Sequence, residues 1–94
     1  MEKKVYYAKL YDYYGNLLTV RQQGNFEDYY FNDLTLKEIA DNHEVSRNAI
    51  SKTLKEVLLK LDYYEENIGL LKNKKEIEKV IKDKKILEQI DDYI

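Results

Sequence analysis

Residues 39–52 read IADNHEVSRNAISK. Ile39 and Ala40 belong to one amphipathic segment and Ser46 opens another, with only Asn42-His43-Glu44-Val45 connecting them. The first segment begins at Thr35-Leu36-Lys37-Glu38, the pattern of a capping box. In such a box the hydroxyl accepts the backbone N–H three residues on, and the glutamate reaches back to the first amide. Leu36, Ile39 and Ala40 then share one helical face. Ser46 is an N-cap type for a following helix whose apolar positions Ile50, Leu54, Val57, Leu58 and Leu61 form one stripe. Two helices joined by so short a connection must cross at a steep angle, which is helix-turn-helix geometry, here over residues 35–61. Ala40 is small where the helices approach most closely, and Ile39, Val45 and Ile50 are apolar where the unit must bury one side. An αα-hairpin that merely packs is the alternative with the same two helices. Glu44 stands where such a turn commonly has Gly, so it must adopt positive φ at a cost of about 1 kcal/mol or reshape the turn.

Outward from this unit the periodicity stays helical. Val5, Tyr6, Leu10, Tyr13 and Tyr14 follow 3.6-residue spacing, and Gly15-Asn16 supplies a stop. Thr19-Val20-Arg21-Gln22 is a second capping box, opening a helix expected to run to about Tyr30 and to bury Phe26, Tyr29 and Tyr30. Gly24 is its weak point, at about 1 kcal/mol relative to Ala. Asn32-Asp33 breaks the pattern before Thr35. Beyond Leu61, residues 62–94 read as a C-terminal helical extension with Ile77, Val80, Ile81, Leu87, Ile90 and Ile94 at helical spacing. These exceed what a small bundle can cover. Burial in a homodimer is the simpler expectation, making 62–94 a dimerisation element; a helix folded back on its own bundle, bent at Gly69, is the alternative.

The composition fits this all-α reading of residues 1–94 as a single domain. A chain of 94 residues with 44% hydrophobic and 36% charged content folds as one unit, and no proline with only three glycines favours helices. The lack of cysteine excludes disulfides and thiolate metal sites. No apolar run approaches the roughly 18 residues of a membrane span, and Met-Glu-Lys-Lys does not open a signal peptide. No membrane insertion and a cytoplasmic location are therefore expected. His43 is the single histidine, without paired ligands, and no glycine-rich phosphate loop is present, so neither catalysis, nor a metal, nor a cofactor is expected. Asp-Tyr-Tyr occurs at 12–14, 28–30 and 62–64; a tyrosine of each triplet falls on an apolar stripe, which favours core packing over stacking on bases.

Charge is distributed unevenly behind the net value of -2. Between Val45 and Leu61, Arg47, Lys52, Lys55 and Lys60 face only Glu56, a local balance of +3. The segments before residue 35 and after residue 61 are each acidic overall. Double-stranded DNA is the partner this pattern favours. Arg47 and Asn48 occupy the first turn of the second helix, with Ser51 and Lys52 one turn on and Lys55 following. Arg can bond bidentately to guanine and Asn to adenine, while Ser and Lys suit phosphates or base edges. Thr35 and Lys37 at the start of the first helix are suited to a phosphate.

LYDYYGNLLTVRQQGNFEDYYFNDLTLKEIADNHEVSRNAISKTLKEV, followed by YYEENIGLL, resembles the YlxM-like family of small bacterial helix-turn-helix proteins. The resemblance covers roughly residues 10 to 72. That family is similar in turn to the promoter-reading fourth region of sigma factors. The resemblance implies the same fold, dimer-forming helices, and regulation linked to the signal recognition particle pathway. A protein partner in that pathway or in the transcription machinery is part of the same implication. Ser46, Arg47 and Ala49 match the start of the family's recognition helix, and Glu38, Ile39 and Ala40 its supporting helix. Glu44 and Glu56 depart from the pattern, Glu56 standing where the family tends to have a basic residue. A protein-interaction module on the same scaffold is the alternative to DNA binding.

Overall fold

A computed structural model describes residues 2–74. Among them the chain forms α1 (Lys3–Tyr14), α2 (Val20–Tyr30), α3 (Leu36–His43) and α4 (Arg47–Ile68), with a 3-10 turn at Gly15–Leu17. Residues 70–74 are helical again. No strand occurs among the described residues, and none of their helices is long and apolar enough to cross a membrane. The fold is all-α.

Three of the helix starts are set by their own side chains. Thr19 Oγ1 accepts the Gln22 N–H at 3.1 Å while Gln22 Oε1 accepts that of Thr19 at 3.0 Å. Thr35 and Glu38 repeat this exchange, both bonds at 3.1 Å. Ser46 Oγ accepts the Ala49 N–H, also at 3.1 Å. At Gly15, still at φ -56° and ψ -34°, α1 passes into the 3-10 turn, and a Cβ there would lie 3.1 Å from the Tyr11 ring. Gly24 has nothing within 4 Å of its missing Cβ, so its position is unconstrained by packing.

α4 is the spine, 22 residues or about 33 Å long. Its buried positions Ile50, Leu54, Val57 and Leu61 serve two clusters. Ile50 and Leu54 pack with Ile39 and Ala40 of α3. Val57 and Leu61 pack with Tyr7, Leu10 and Tyr14 of α1, Leu18, and Phe26 of α2. Tyr11 and Tyr30 both stack on the Phe26 ring of this second cluster, with centroid distances of 4.4 and 4.3 Å, respectively.

Two expectations need correction. The inward stripe of α1 is Tyr7–Leu10–Tyr14, whereas Val5 is exposed and Tyr6 and Tyr13 are only half-buried. Tyrosines on several sides of α1 leave its period ambiguous, and the seat against α4 and Phe26 selects the face. Tyr29 is exposed and Tyr30 only half-buried; α2 buries Phe26 as expected, and with it Gln22 and Asn25. α4 continues past Leu61 to Ile68, where Gly69 at φ 72° ends it. The chain then turns, and Leu71 is buried against the α1–α4 cluster. Ile77, Val80, Ile81, Leu87, Ile90 and Ile94, on which the dimer expectation rests, lie outside the described residues.

Candidate nucleic-acid interface

The turn between α3 and α4 sets how the second helix is presented. Glu44 sits in the left-handed region, at φ 55° and ψ 42°. Its N–H reaches Asp41 O at 3.3 Å and the Val45 N–H reaches Ala40 O at 3.0 Å, the paired bonds of a Schellman motif. Val45 packs on the α3–α4 cluster, the apolar contact such a motif needs. The turn is therefore not reshaped by the glutamate; the glutamate adopts the glycine conformation. His43, half-exposed in the last turn of α3, lies with Nε2 3.8 Å from Asp28 Oδ2 of α2.

With Ile50, Leu54, Val57 and Leu61 turned inward, the opposite side of α4 carries Asn48, Lys52 and Lys55, all exposed. Arg47 is exposed at the first helical position, and Ser51 is half-buried at the edge of the stripe. Arg47, Lys52 and Lys55 make no ion pair among the described residues.

Two grooves border this face. The first turns of α3 and α4 enclose one of about 450 Å³, lined by Thr35, Lys37 and Arg47 together with Tyr29, Lys4 and Asp33. Lys4 Nζ is 3.3 Å from Asp33 Oδ1, so that acid is already engaged, whereas Lys37 and Arg47 make no ion pair among the described residues. Thr35 Oγ1 is occupied as an acceptor by its own cap. The second groove, about 320 Å³, lies between the start of α2 and α4; Arg21, Lys52 and Glu56 line it, with Thr19, Gln22 and Thr53. Of the expected site residues, the fold thus brings Thr35, Lys37 and Arg47 together, and sets Lys52 on the other border. Asn48 and Lys55 occupy the open helix surface, and Ser51 is recessed.

Sequence reasoning missed Arg21 and Lys4 as border residues. A signal for Arg21 was present: Thr19-Val20-Arg21-Gln22 and Thr35-Leu36-Lys37-Glu38 are the same box with a cation at the same position. Nothing in the local sequence marks Lys4, which reaches the groove only through the packing of α1.

The family model described as "Putative helix-turn-helix protein, YlxM / p13 like" matches residues 1–93. The UPF0122 protein of Malacoplasma penetrans is 46% identical over 84 residues, covering 86% of this chain and 78% of its own length. That of a Thermoanaerobacter species is 45% identical over 82 residues, covering 86% of this chain and 70% of its own. In Geobacillus kaustophilus the corresponding protein is 37% identical over 94 residues, covering 100% of this chain and 80% of its own length. Family match, relatives and the α3–α4 unit agree, and the chain belongs to the UPF0122 family of YlxM/p13-like helix-turn-helix proteins.

Proposed function

We propose that the protein is a DNA-binding regulator that lays the first turns of α4 in the major groove of a duplex. One observation carries this reading: in a chain of net charge -2, Lys52 and Lys55 lie on the outward face of α4 with Arg47 at its border, and none of the three makes an ion pair among the described residues. Asn48 and Lys55 lie where base edges would be read, and Arg47 and Lys37 where a backbone would pass. The reading includes a cytoplasmic homodimer, whose two recognition helices would enter successive grooves about one helical turn apart. Regulation tied to the signal recognition particle pathway is a proposal that rests on the resemblance alone.

The test is duplex binding at about 50 mM salt, where phosphate contacts are strong. The native protein should retard genomic fragments, and an Arg47→Ala, Lys52→Ala variant should bind at least roughly tenfold more weakly. Absence of native binding under these conditions defeats the reading. Sedimentation of a chain ending at Lys74 addresses the dimer separately; a shortened protein that stays dimeric removes residues 75–94 from the interface.

A second reading has its own observation. Further along the same face of α4, Leu59 and Tyr63 are 69% and 62% exposed, an apolar continuation suited to protein rather than DNA. A protein-interaction module would lose its partner on Leu59→Glu while keeping its fold.

A further inference from the structure

All four α-helices among the described residues carry a cation in their first turn, Lys3 and Lys4 opening α1. Arg21 and Lys37 hold the same place in the capping boxes of α2 and α3, and Arg47 is the first residue of α4. A positive side chain in a first turn opposes the helix dipole, which favours acidic residues there. Neither α2 nor α4 has an acidic residue in its first turn to offset it. Arg21 is exposed and makes no ion pair among the described residues. These cations therefore sit where they do not help the isolated fold, and an external anion reverses the sign of their contribution.

Their placement around α4 says which anion. Lys52 follows Arg47 by five residues, about 140° around the helix, so the two mark opposite borders of the face that carries Asn48 and Lys55. Arg47 shares its groove with Lys37, and Lys52 shares the other groove with Arg21. A helix about 10 Å across in a major groove about 12 Å wide is flanked by the phosphates of both strands. One border meets each strand.

We infer that the DNA-facing surface extends over the first turn of α2, where Arg21 anchors the backbone of the strand opposite to the one held by Lys37. This inference rests on the DNA-binding reading, and it adds an element that reading does not use. Glu56, in the same groove as Arg21 and Lys52, lowers the attraction of this border but leaves it net positive, two cations to one acid.

The experiment compares the salt dependence of duplex binding for the native full-length chain, Arg21→Ala, Lys37→Ala and Lys9→Ala. Lys9 is an exposed lysine of α1 and serves as the charge-matched control. Each lost phosphate contact should flatten the slope of log affinity against log salt by about 0.9 and weaken binding roughly fivefold to tenfold near 0.1 M salt. Arg21→Ala and Lys37→Ala are expected to do so equally on all sequences, with melting temperatures unchanged or raised, and Lys9→Ala to leave the slope alone. If the native protein and Lys37→Ala behave as expected but Arg21→Ala keeps the native slope, this inference fails and the DNA reading stands. A loss with Lys9→Ala equal to that with Arg21→Ala, or an altered sequence preference in Arg21→Ala, also overturns it. If the native protein binds no duplex, the DNA reading fails and takes this inference with it.

Discussion

Glu44 is the residue at which local preference and tertiary demand disagree most plainly. Its φ of 55° is needed so that the N–H groups of residues 44 and 45 can turn back onto Asp41 and Ala40, closing α3 and aiming α4. For an L residue that conformation costs roughly 1 kcal/mol, because Cβ crowds the backbone; glycine has no such clash. Asp33 is held at the same φ of 55°, but aspartate visits the left-handed region more readily than glutamate. Replacing Glu44→Gly removes that strain, and after about 0.4–1 kcal/mol is deducted for the greater freedom of glycine in the unfolded chain it should stabilise the fold by up to about 0.6 kcal/mol. In a domain of this size that raises the melting temperature by up to about 5 °C. Glu44→Ala keeps the strain and should show no such rise. Thermal melts of the two variants check this directly; a Glu44→Gly chain that melts below both the native chain and Glu44→Ala would mean that no strain is stored there.

The helix starts were legible because a cap is a contract between residues three apart, and T-V-R-Q, T-L-K-E and Ser46 need nothing distant to act. Which face each helix buries was legible only where apolar residues were sparse, as in α4. In KKVYYAKLYDYY almost any face carries a tyrosine, and the choice of Tyr7 over Val5 is made by α4 and Phe26. The Arg21 border escaped for a related reason: its groove joins residues 19–22 to residues 49–56, which meet only through the fold. The junction after α4 is of the same kind. Glu65 Oε1 accepts the Tyr14 hydroxyl at 2.7 Å and the Leu71 N–H at 3.2 Å, and Oε2 accepts the Lys72 N–H at 3.1 Å. Tyr14 Oη in turn accepts the Leu70 N–H at 3.0 Å. One carboxylate thus caps the helical turn at 70–74 and pins it to α1. Glu65→Ala leaves a buried phenol and two amides without it, a loss of about 1.5–3 kcal/mol. Hydrogen exchange should show Leu71 and Lys72 losing protection while Ile50, in the α3–α4 cluster, stays slow until global unfolding. Unchanged protection at Leu71 would show that burial alone holds the turn.

Across the whole molecule the two ends of α4 do opposite electrostatic work. Its first turns carry surface cations that make no ion pair among the described residues, whereas its last turns use carboxylates internally, joining the helix to α1 through tyrosine. Tyr7 donates to Asp62 Oδ2 at 2.8 Å, and Tyr14 to Glu65. Burial pushes the Tyr7 and Tyr14 phenols up to about 12 from 10.0, and the hydrogen bonds to these carboxylates push the same way. Tyr11, stacked on Phe26, is raised to about 12 as well, by burial and then by the nearby charge of Glu27. The acidity concealed in the net charge therefore has a structural use, and it gives the fold an alkaline limit. A phenol whose folded pKa lies above its unfolded value keeps its proton in the native state while the unfolded chain releases it. Below about pH 10 both states are protonated and stability does not depend on these groups; between about pH 10 and 12 unfolding releases protons, so stability falls as pH rises and is lost through the folded pKa. Denaturant midpoints followed from about pH 8 to 12 should hold level and then decline steeply. The Tyr7→Phe, Tyr14→Phe variant should start lower at neutral pH, having given up two hydrogen bonds, but decline less between pH 10 and 12. Phenolate absorbance of the native protein provides the matching observation, with a fraction of the tyrosines titrating late and together with unfolding. Should all the tyrosines of the folded chain ionise at the ordinary value, the seam between α1 and α4 is not closed to solvent, and the alkaline limit has another cause.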